Sequence, residues 1–167
     1  MSAVRAIVVA MALLRLVELL HARRNAAALL RRGGVEIGAA HYPLFVLLHA
    51  GWLLSLFFLV PAGAAISWPW LAVLLLMQAG RLWAIRSLGP WWTTRVITVP
   101  DAPLVRRGPY RFLRHPNYVV VVVEIAALPL AFGAWRIALV FSLLNAALLA
   151  WRIHVEEQAL APRRRLA

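Results

Sequence analysis

Cysteine and lysine are absent from this 167-residue chain, and only six residues are acidic, against 18 arginines. Without cysteine the chain forms no disulfide, no thiolate metal site and no cysteine nucleophile. Charged residues are also scarce, at 14%, whereas 63% of the residues are hydrophobic and the mean hydropathy is +0.79. Soluble domains are nearer half apolar and a quarter charged, so an ordinary cytosolic domain, a disordered chain and a collagen-like fibre are excluded. The composition is that of an integral membrane protein.

The apolar runs predict an all-α, polytopic membrane protein with about five transmembrane helices. The length leaves no room for a separate soluble domain, so one domain over residues 1–167 is expected. The first run is followed by arginines rather than by a small-residue cleavage pattern, which favours a retained helix over a removable signal peptide. The predicted spans run from about Val4 to Leu20, Tyr42 to Val60, Trp68 to Ala84, Tyr118 to Ala131 and Ile137 to Ile153.

The arginines indicate the orientation, because short cytoplasmic loops carry the positive excess. Nearly all of them lie in the first and third connections and in the tail from Pro162 to Ala167. The N-terminus and the other two connections hold only Arg5 and Arg136. This alternation predicts a membrane protein with its N-terminus outside and with its C-terminus and the third connection on the cytoplasmic side. It also explains the net charge of +12 better than nucleic-acid binding does.

The first, second and fourth spans contain polar residues. Arg15 and Glu18 share one face of the first span, where they form either an intramembrane pair or side chains that snorkel to the headgroups. Glu124 lies in the fourth span. His41 and His49, near and within the second span, are either packed side chains or part of an acceptor entrance.

The third connection, from Arg81 to His115, is rich in arginine and proline. Its β-branched run Thr93–Val99 predicts a short hairpin or an extended piece. A polar connection of this length without a helix is more often functional than a plain linker.

Two polar clusters bracket the last two spans. The first, Arg106–Tyr118, combines backbone-shaping glycine and proline with arginines that bind carboxylate or phosphate and with rings that stack on a base. Pro116 suits the first turn of a helix, whose free N–H groups hold anions. A loop that binds lipid headgroups is the alternative for this cluster.

The second cluster, Arg152-Ile-His-Val-Glu-Glu157, ends the fifth span. Two adjacent glutamates at a helix C-terminus oppose the macrodipole, which favours a bound cationic group, with a solvated helix end as the alternative. Both clusters are predicted on the cytoplasmic face. A ligand with carboxylate, ammonium and adenine groups would suit them together.

These residues carry a resemblance to a known family. Gly108-Pro-Tyr110, Arg114-His-Pro-Asn-Tyr118 and Arg152-x-x-x-Glu156-Glu157, in this order, resemble the signature of the isoprenylcysteine carboxyl methyltransferases, integral membrane enzymes that use S-adenosylmethionine. The signature covers about Arg81 to Leu160. The segments Glu18–Asn25, Glu36–His49 and Leu88–Thr94 are similar to a bacterial branch that O-methylates alkylpyrones or alkylresorcinols.

The resemblance implies S-adenosylmethionine as cofactor and a bacterial cell membrane as the location, and it assigns roles to nine positions, of which His115 has two. A longer, tyrosine-containing tail is usual in the family after the position of Glu157, and here Gln158–Ala167 replaces it, which speaks against the prenylcysteine substrate. The implied cofactor-binding residues are Gly108, Tyr110, His115, Pro116, Tyr118, Glu156 and Glu157, and the implied catalytic residues are Arg114, His115 and Arg152.

The sequence therefore predicts an O-methyltransferase that takes a lipophilic acceptor from the bilayer and contacts membrane lipids but no nucleic acid. Methyl transfer from a sulfonium is an in-line displacement and needs no metal. A phenolic or pyrone polyketide lipid is the favoured acceptor, with the prenylcysteine α-carboxylate as the alternative. A phenol requires a base, for which His115, His154 and Glu156 are candidates. A small membrane transporter is the alternative of another class, with pathway residues Arg15, Glu18, His49 and Glu124.

Overall fold

The computed structural model describes residues 2–100, 102 and 104–164, the last three of these by their backbone only. The all-α prediction is confirmed, since the long elements of this part of the chain are five α-helices. The predicted basic tail lies outside the described residues from Arg165 onward. The helices are α1 (Ala3–Arg31), α2 (Tyr42–Leu59), α3 (Trp68–Leu88), α4 (Pro116–Ala131) and α5 (Trp135–Arg164).

Three described segments are long and apolar enough to cross a membrane: Ala39–Leu59, Trp68–Trp91 and Trp135–Ala161. The fourth helix, α4, is apolar but shorter. The chain is thus an integral membrane protein with three to four candidate spans. Helix α1 is 29 residues long but carries Arg5, Arg15 and Glu18 in its first two thirds. Its crossing and the orientation of the termini stay predictions.

The shortest of the five helices, α4, lies at the centre of the bundle. Nine of its 16 residues are buried, against three of 18 in α2. Its Ile125 belongs to the same buried apolar cluster as Val8, Trp52, Leu74 and Leu149 from the four other helices. Apart from its first turn and Glu124, this helix is apolar on every face, which suits the central place. Helix α2 instead leaves most of its apolar side chains outside the bundle, where they suit contact with lipid.

Helices α1, α3 and α5 extend beyond the predicted spans. Helix α1 continues to Arg31, well past the predicted end of the first span at Leu20. Helix α3 continues to Leu88, which corrects the prediction that Arg81 starts the polar connection. The reason is that helices end at stop signals rather than where hydrophobicity falls. Gly33 and Gly89, both with positive φ, follow α1 and α3, and the Gly33 and Gly34 N–H groups close a Schellman motif on α1.

Two short strands join the first connection to the third. Strands β1 (Val35–Ile37) and β2 (Val96–Thr98) pair antiparallel, with Glu36 opposite Ile97. The extended piece predicted within residues 93–99 is therefore present, but the alternative of a local hairpin is wrong, because the pairing partner comes from a distant segment. Arg95 Nη1 donates to Glu36 Oε2 at 2.9 Å beside the sheet.

The third connection is also held by the extended end of α1. The Asn25 side-chain amide donates to the carbonyl oxygens of Gly89, at 3.1 Å, and Trp92, at 2.8 Å. Three short 3₁₀ helices complete the described chain: Ala39–His41, Gly89–Trp91 and Gly108–Arg111. The last one leads through His115 into α4, and this entry builds one wall of the site.

Candidate functional site

A cavity of about 470 Å³ lies among the helices and the third connection. This volume is within the roughly 300–1,000 Å³ range of small-molecule sites in proteins. Part of its wall is apolar and comes from side chains inside the bundle, such as Leu53, Val121 and Leu149. Another part holds six of the residues that the sequence assigned to the site: Tyr110, Arg114, His115, Tyr118, Arg152 and Glu156.

The start of α4 presents two stacked rings to this cavity. His115 precedes the helix and Tyr118 lies in its first turn, so their rings stack at 5.1 Å with an angle of 7° between the planes. His115 Nε2 lies 3.0 Å from Glu157 Oε1, and Nδ1 lies 3.8 Å from Glu156 Oε1. Both ring nitrogens of His115 thus face carboxylates of α5.

Arg152 and Glu156 are linked through Tyr118. Arg152 Nε donates to the Tyr118 hydroxyl at 2.7 Å, and that hydroxyl donates to Glu156 Oε2. The buried guanidinium also lies 5.4 Å from the centre of the Phe45 ring and 5.7 Å from that of Tyr118. Because a charged donor and a charged acceptor share one phenol, the three side chains hold one another in place.

Two predicted residues line the cavity from the loop before α4. Arg114 is the more exposed, with 75% of its side chain accessible, and its Nη1 lies 3.6 Å from Glu157 Oε2. Tyr110 is half-buried. Burial, with a smaller contribution from the charge of Glu156, raises the pKa of Tyr110 above its usual value. Its hydroxyl therefore keeps its proton at neutral pH and remains a donor.

Gly108, Pro116 and Glu157 were predicted to bind the cofactor but do not line the cavity. Gly108 has a φ of +57°, and a Cβ built on it would lie 2.0 Å from Ser87 Oγ, so only glycine lets this loop approach α3. Pro116 is the buried first residue of α4. Glu157 acts on the wall through His115. The structure gives these residues supporting positions, and their predicted cofactor contacts stay predictions.

Asn117 was quoted in the motif but was not singled out as a site residue. Its side chain lines the cavity, and its Oδ1 is buried without a hydrogen-bond partner among the described atoms. An unpaired buried acceptor is costly unless a ligand or a water supplies the donor. Its place between His115 and Tyr118 in the motif was the available signal.

A second polar group lies deeper in the bundle, which we term the inner cluster: Arg15, Glu18, Gln78, Arg81 and Glu124. Arg81 donates to both carboxylate oxygens of Glu124, and its Nε lies 3.2 Å from Oε1. Gln78 Nε2 also donates to Glu124 Oε1, at 2.6 Å. Arg15 Nη1 pairs with Glu18 at 3.0 Å, and Arg15 Nη2 donates to Gln78 Oε1 at 2.9 Å. The alternative that Arg15 and Glu18 pair is confirmed, and their partners extend to α3 and α4.

The inner cluster belongs to the same cavity as the signature residues. Arg15, Glu18 and Arg81 line the cavity, together with His49 of α2. Glu124 is six residues beyond Tyr118 in α4, which corresponds to about 9 Å along the helix axis. The sequence singled out Arg15, Glu18, His49 and Glu124. It counted Arg81 with the third connection and so did not join it to them.

Fold and site together define a small helical membrane protein that holds a ligand-sized cavity between charged clusters and an apolar wall. Residues 70–162, more than half of the chain, match the family described as isoprenylcysteine carboxyl methyltransferase (ICMT). The chain belongs to this family, which confirms the resemblance at the level of the family. The matched segment contains both signature clusters and the 3₁₀ helix Gly89–Trp91 that follows α3.

Two bacterial relatives are similar over most of their length. A Bacillus subtilis (strain 168) protein described as uncharacterized protein YpbQ is 40% identical over 151 residues, which cover 87% of this chain and 89% of the relative. A Haemophilus influenzae (strain ATCC 51907 / DSM 11121 / KW20 / Rd) protein described as uncharacterized is 26% identical over 145 residues, or 83% of each chain. No solved structure matches the chain significantly.

Proposed function

We propose that this protein is an S-adenosylmethionine-dependent O-methyltransferase whose acceptor is a membrane-embedded phenolic or pyrone lipid. The observation that carries the proposal is the single cavity that joins the family's signature residues to an apolar wall inside the bundle. The polar signature residues suit a water-soluble methyl donor, and the apolar wall suits a lipid tail.

The residues around the cavity fit S-adenosylmethionine. Glu156 lines the cavity, so its carboxylate is available to the ammonium group of the cofactor, and Glu157 supports this wall from behind His115. The exposed guanidinium of Arg114 can pair with its carboxylate. The unpaired Oδ1 of Asn117 can accept from a hydroxyl or amino group of the adenosine part. When bound, S-adenosylmethionine supplies an electrophilic methyl group on a positively charged sulfur.

The chain's own contribution is alignment and the exclusion of water. An in-line displacement is accelerated when donor and acceptor are held at reacting distance in a dry site. The contacts among Arg152, Tyr118 and Glu156 fix the positions of the side chains that would bind S-adenosylmethionine. Bundle side chains such as Leu53 and Leu149 provide the apolar surface for the acceptor's tail.

The prenylcysteine α-carboxylate is the alternative acceptor, and the description of the matched family favours it. A carboxylate is already ionised at neutral pH, so Arg114 or Arg152 would need only to orient it. A phenol or enol would also need a base. The two acceptors therefore place different demands on the site.

Label transfer separates these possibilities. Membranes that contain the protein would be given methyl-labelled S-adenosylmethionine together with an alkylresorcinol or a farnesylated cysteine. We expect label in the resorcinol product and a loss of about 100-fold or more with Glu156→Ala or His115→Ala. Glu36→Ala, which removes a carboxylate outside the cavity, serves as the matched control and should keep most of the activity. Label in neither product, with no cofactor binding, contradicts the proposal.

A further inference from the structure

His49 lines the cavity and keeps one unused lone pair. Its Nδ1 lies 2.9 Å from the carbonyl oxygen of Phe45, one turn earlier in α2. A carbonyl oxygen can only accept, so Nδ1 carries the proton, and Nε2 of the neutral ring is then the acceptor. Among the described residues, Nε2 has no hydrogen-bond partner. The ring thus combines a fixed tautomer with a free basic nitrogen in a ligand-sized cavity.

The base candidates named from the sequence are engaged elsewhere. Both nitrogens of His115 face carboxylates, and its ring is stacked on Tyr118. His154 is exposed, does not line the cavity, and its Nε2 lies 3.0 Å from the side-chain nitrogen of Gln158. Glu156 accepts the hydroxyl of Tyr118. His49 is the histidine of the cavity wall that retains a free acceptor.

The inner cluster next to His49 discriminates between classes of acceptor. Two carboxylates, Glu18 and Glu124, already balance the guanidinium groups of Arg15 and Arg81. An ionised carboxylate placed there would add an unbalanced charge to a buried site, which is costly. A neutral hydroxyl adds none. When its proton passes to His49, the new negative charge on oxygen is matched by a positive charge on the imidazole.

We propose that His49 is the residue that accepts the proton of the acceptor's hydroxyl, at a polar subsite formed with Arg15 and Arg81. This inference rests on the proposed function and narrows its acceptor to lipids with a neutral, ionisable hydroxyl. The O–H bond breaks with its electron pair left on oxygen, and the proton forms an N–H bond at Nε2. That oxygen then bonds to the methyl carbon while the C–S bond breaks with its pair going to sulfur, and His49 returns its proton to water.

Arg15 lines the cavity and has one N–H group without a partner. Its Nη atoms contact Glu18, Glu124 and Gln78, whereas its Nε is buried and has no hydrogen-bond partner among the described atoms. Such a donor near developing negative charge lowers the barrier for the transfer. The subsite thus holds one free acceptor and one free donor, which matches the donor and acceptor of a single hydroxyl group.

The test compares His49→Gln with the unmodified protein in nanodiscs. With an alkylresorcinol, the variant should lose about 100-fold or more in rate, the usual contribution of a general base. Its binding of S-adenosylmethionine should stay within a factor of about two, which also shows that it folds. His21→Gln, at an exposed histidine of α1, is the matched control and should keep its rate.

Acceptor acidity supplies a readout that a merely structural role would not change. With a nitro-substituted alkylresorcinol whose hydroxyl is already ionised at the assay pH, the loss caused by His49→Gln should shrink to less than about tenfold. An equal loss with both acceptors, or an unchanged rate in the variant, overturns the assignment.

The unmodified protein tests the acceptor class without any variant. Label transfer to the alkylresorcinol but not to farnesylated cysteine supports the inference. Transfer to farnesylated cysteine alone overturns it together with the proposed phenolic or pyrone acceptor, and leaves only the S-adenosylmethionine-dependent methyltransferase activity standing. Failure to bind S-adenosylmethionine overturns both.

Discussion

Replacing Glu124 by leucine removes the carboxylate at the centre of the inner cluster. The side chains of Glu124 and Arg81 are 5% and 6% exposed, and Arg15 Nη1 lies 3.6 Å from the same carboxylate. Removing one partner of a buried ion pair costs about 3–5 kcal/mol, because the other charge stays buried and uncompensated. We expect a loss of this size in the free energy of unfolding. At about 2–4 °C per kcal/mol for a chain of this length, the melting temperature should fall by roughly 10 °C.

The double variant Glu124→Leu/Arg81→Met tests whether this cost is electrostatic. It removes both charges and leaves Arg15 paired with Glu18. Because apolar replacements of a whole buried pair are often neutral or stabilising, the double variant should regain most of the lost stability.

Thermal unfolding in detergent, followed by the fluorescence of the eight tryptophans, measures both effects. Glu36→Leu is the matched control, since its partner Arg95 is 41% exposed and such pairs contribute about 1 kcal/mol or less. A Glu124→Leu variant as stable as the unmodified protein refutes the reasoning. So does a double variant that is no more stable than the single one.

Three further predictions concern the site wall. Gly108→Ala should lower the free energy of unfolding by about 1–3 kcal/mol, because the new Cβ would meet Ser87 Oγ and Gly108 has a positive φ. In thermal melts, the double variant Gly108→Ala/Ser87→Gly should regain part of this loss. Tyr118→Phe should weaken S-adenosylmethionine binding about tenfold by releasing Arg152 and Glu156, and equilibrium binding that is undiminished would contradict this. Burial raises the pKa of Tyr110 above 10.0, so this residue contributes stability below that pH which is lost as the pH rises further. Melting temperatures from about pH 8 to pH 11 should fall less steeply in Tyr110→Phe than in the unmodified protein.

The positions of the helices were predictable from hydrophobic runs, but their ends were not. Helix α5 continues to Arg164, well past the predicted end at Ile153, although its last turns are polar. Hydropathy reports where a helix is apolar, whereas its end is set by backbone signals such as Gly33 and Gly89. Taking those glycines as C-terminal caps would have placed the ends of α1 and α3 correctly.

The pairing of the two strands could not be read from either segment alone. Strands of three residues carry too little alternation to define a face, and the partners Glu36 and Ile97 are far apart in sequence. The local propensity of residues 93–99 for extended structure was real, but the choice of partner depends on where α1 and α3 end. That information is tertiary.

The sequence predicted correctly which signature residues lie close together, because the two clusters lie on consecutive helices. His115 and Tyr118 enter α4, Glu156 and Glu157 lie in α5, and these helices are joined by a short turn, so the two clusters were expected to meet. Whether His49 and Arg81 face the cavity could not be foreseen in the same way, although an acceptor entrance was one of the two alternatives for His49. It depends on the rotation of α2 and α3 about their axes, which packing against α4 decides and local sequence does not.

Direct binding of S-adenosylmethionine to the purified protein tests the central claim most simply. Isothermal titration in nanodiscs should give saturable binding of one cofactor per chain, and Glu156→Ala should weaken it at least tenfold while Glu36→Ala leaves it unchanged. Saturable binding that Glu156→Ala does not alter would place the cofactor outside this cavity. No binding by the unmodified protein would contradict the account as a whole.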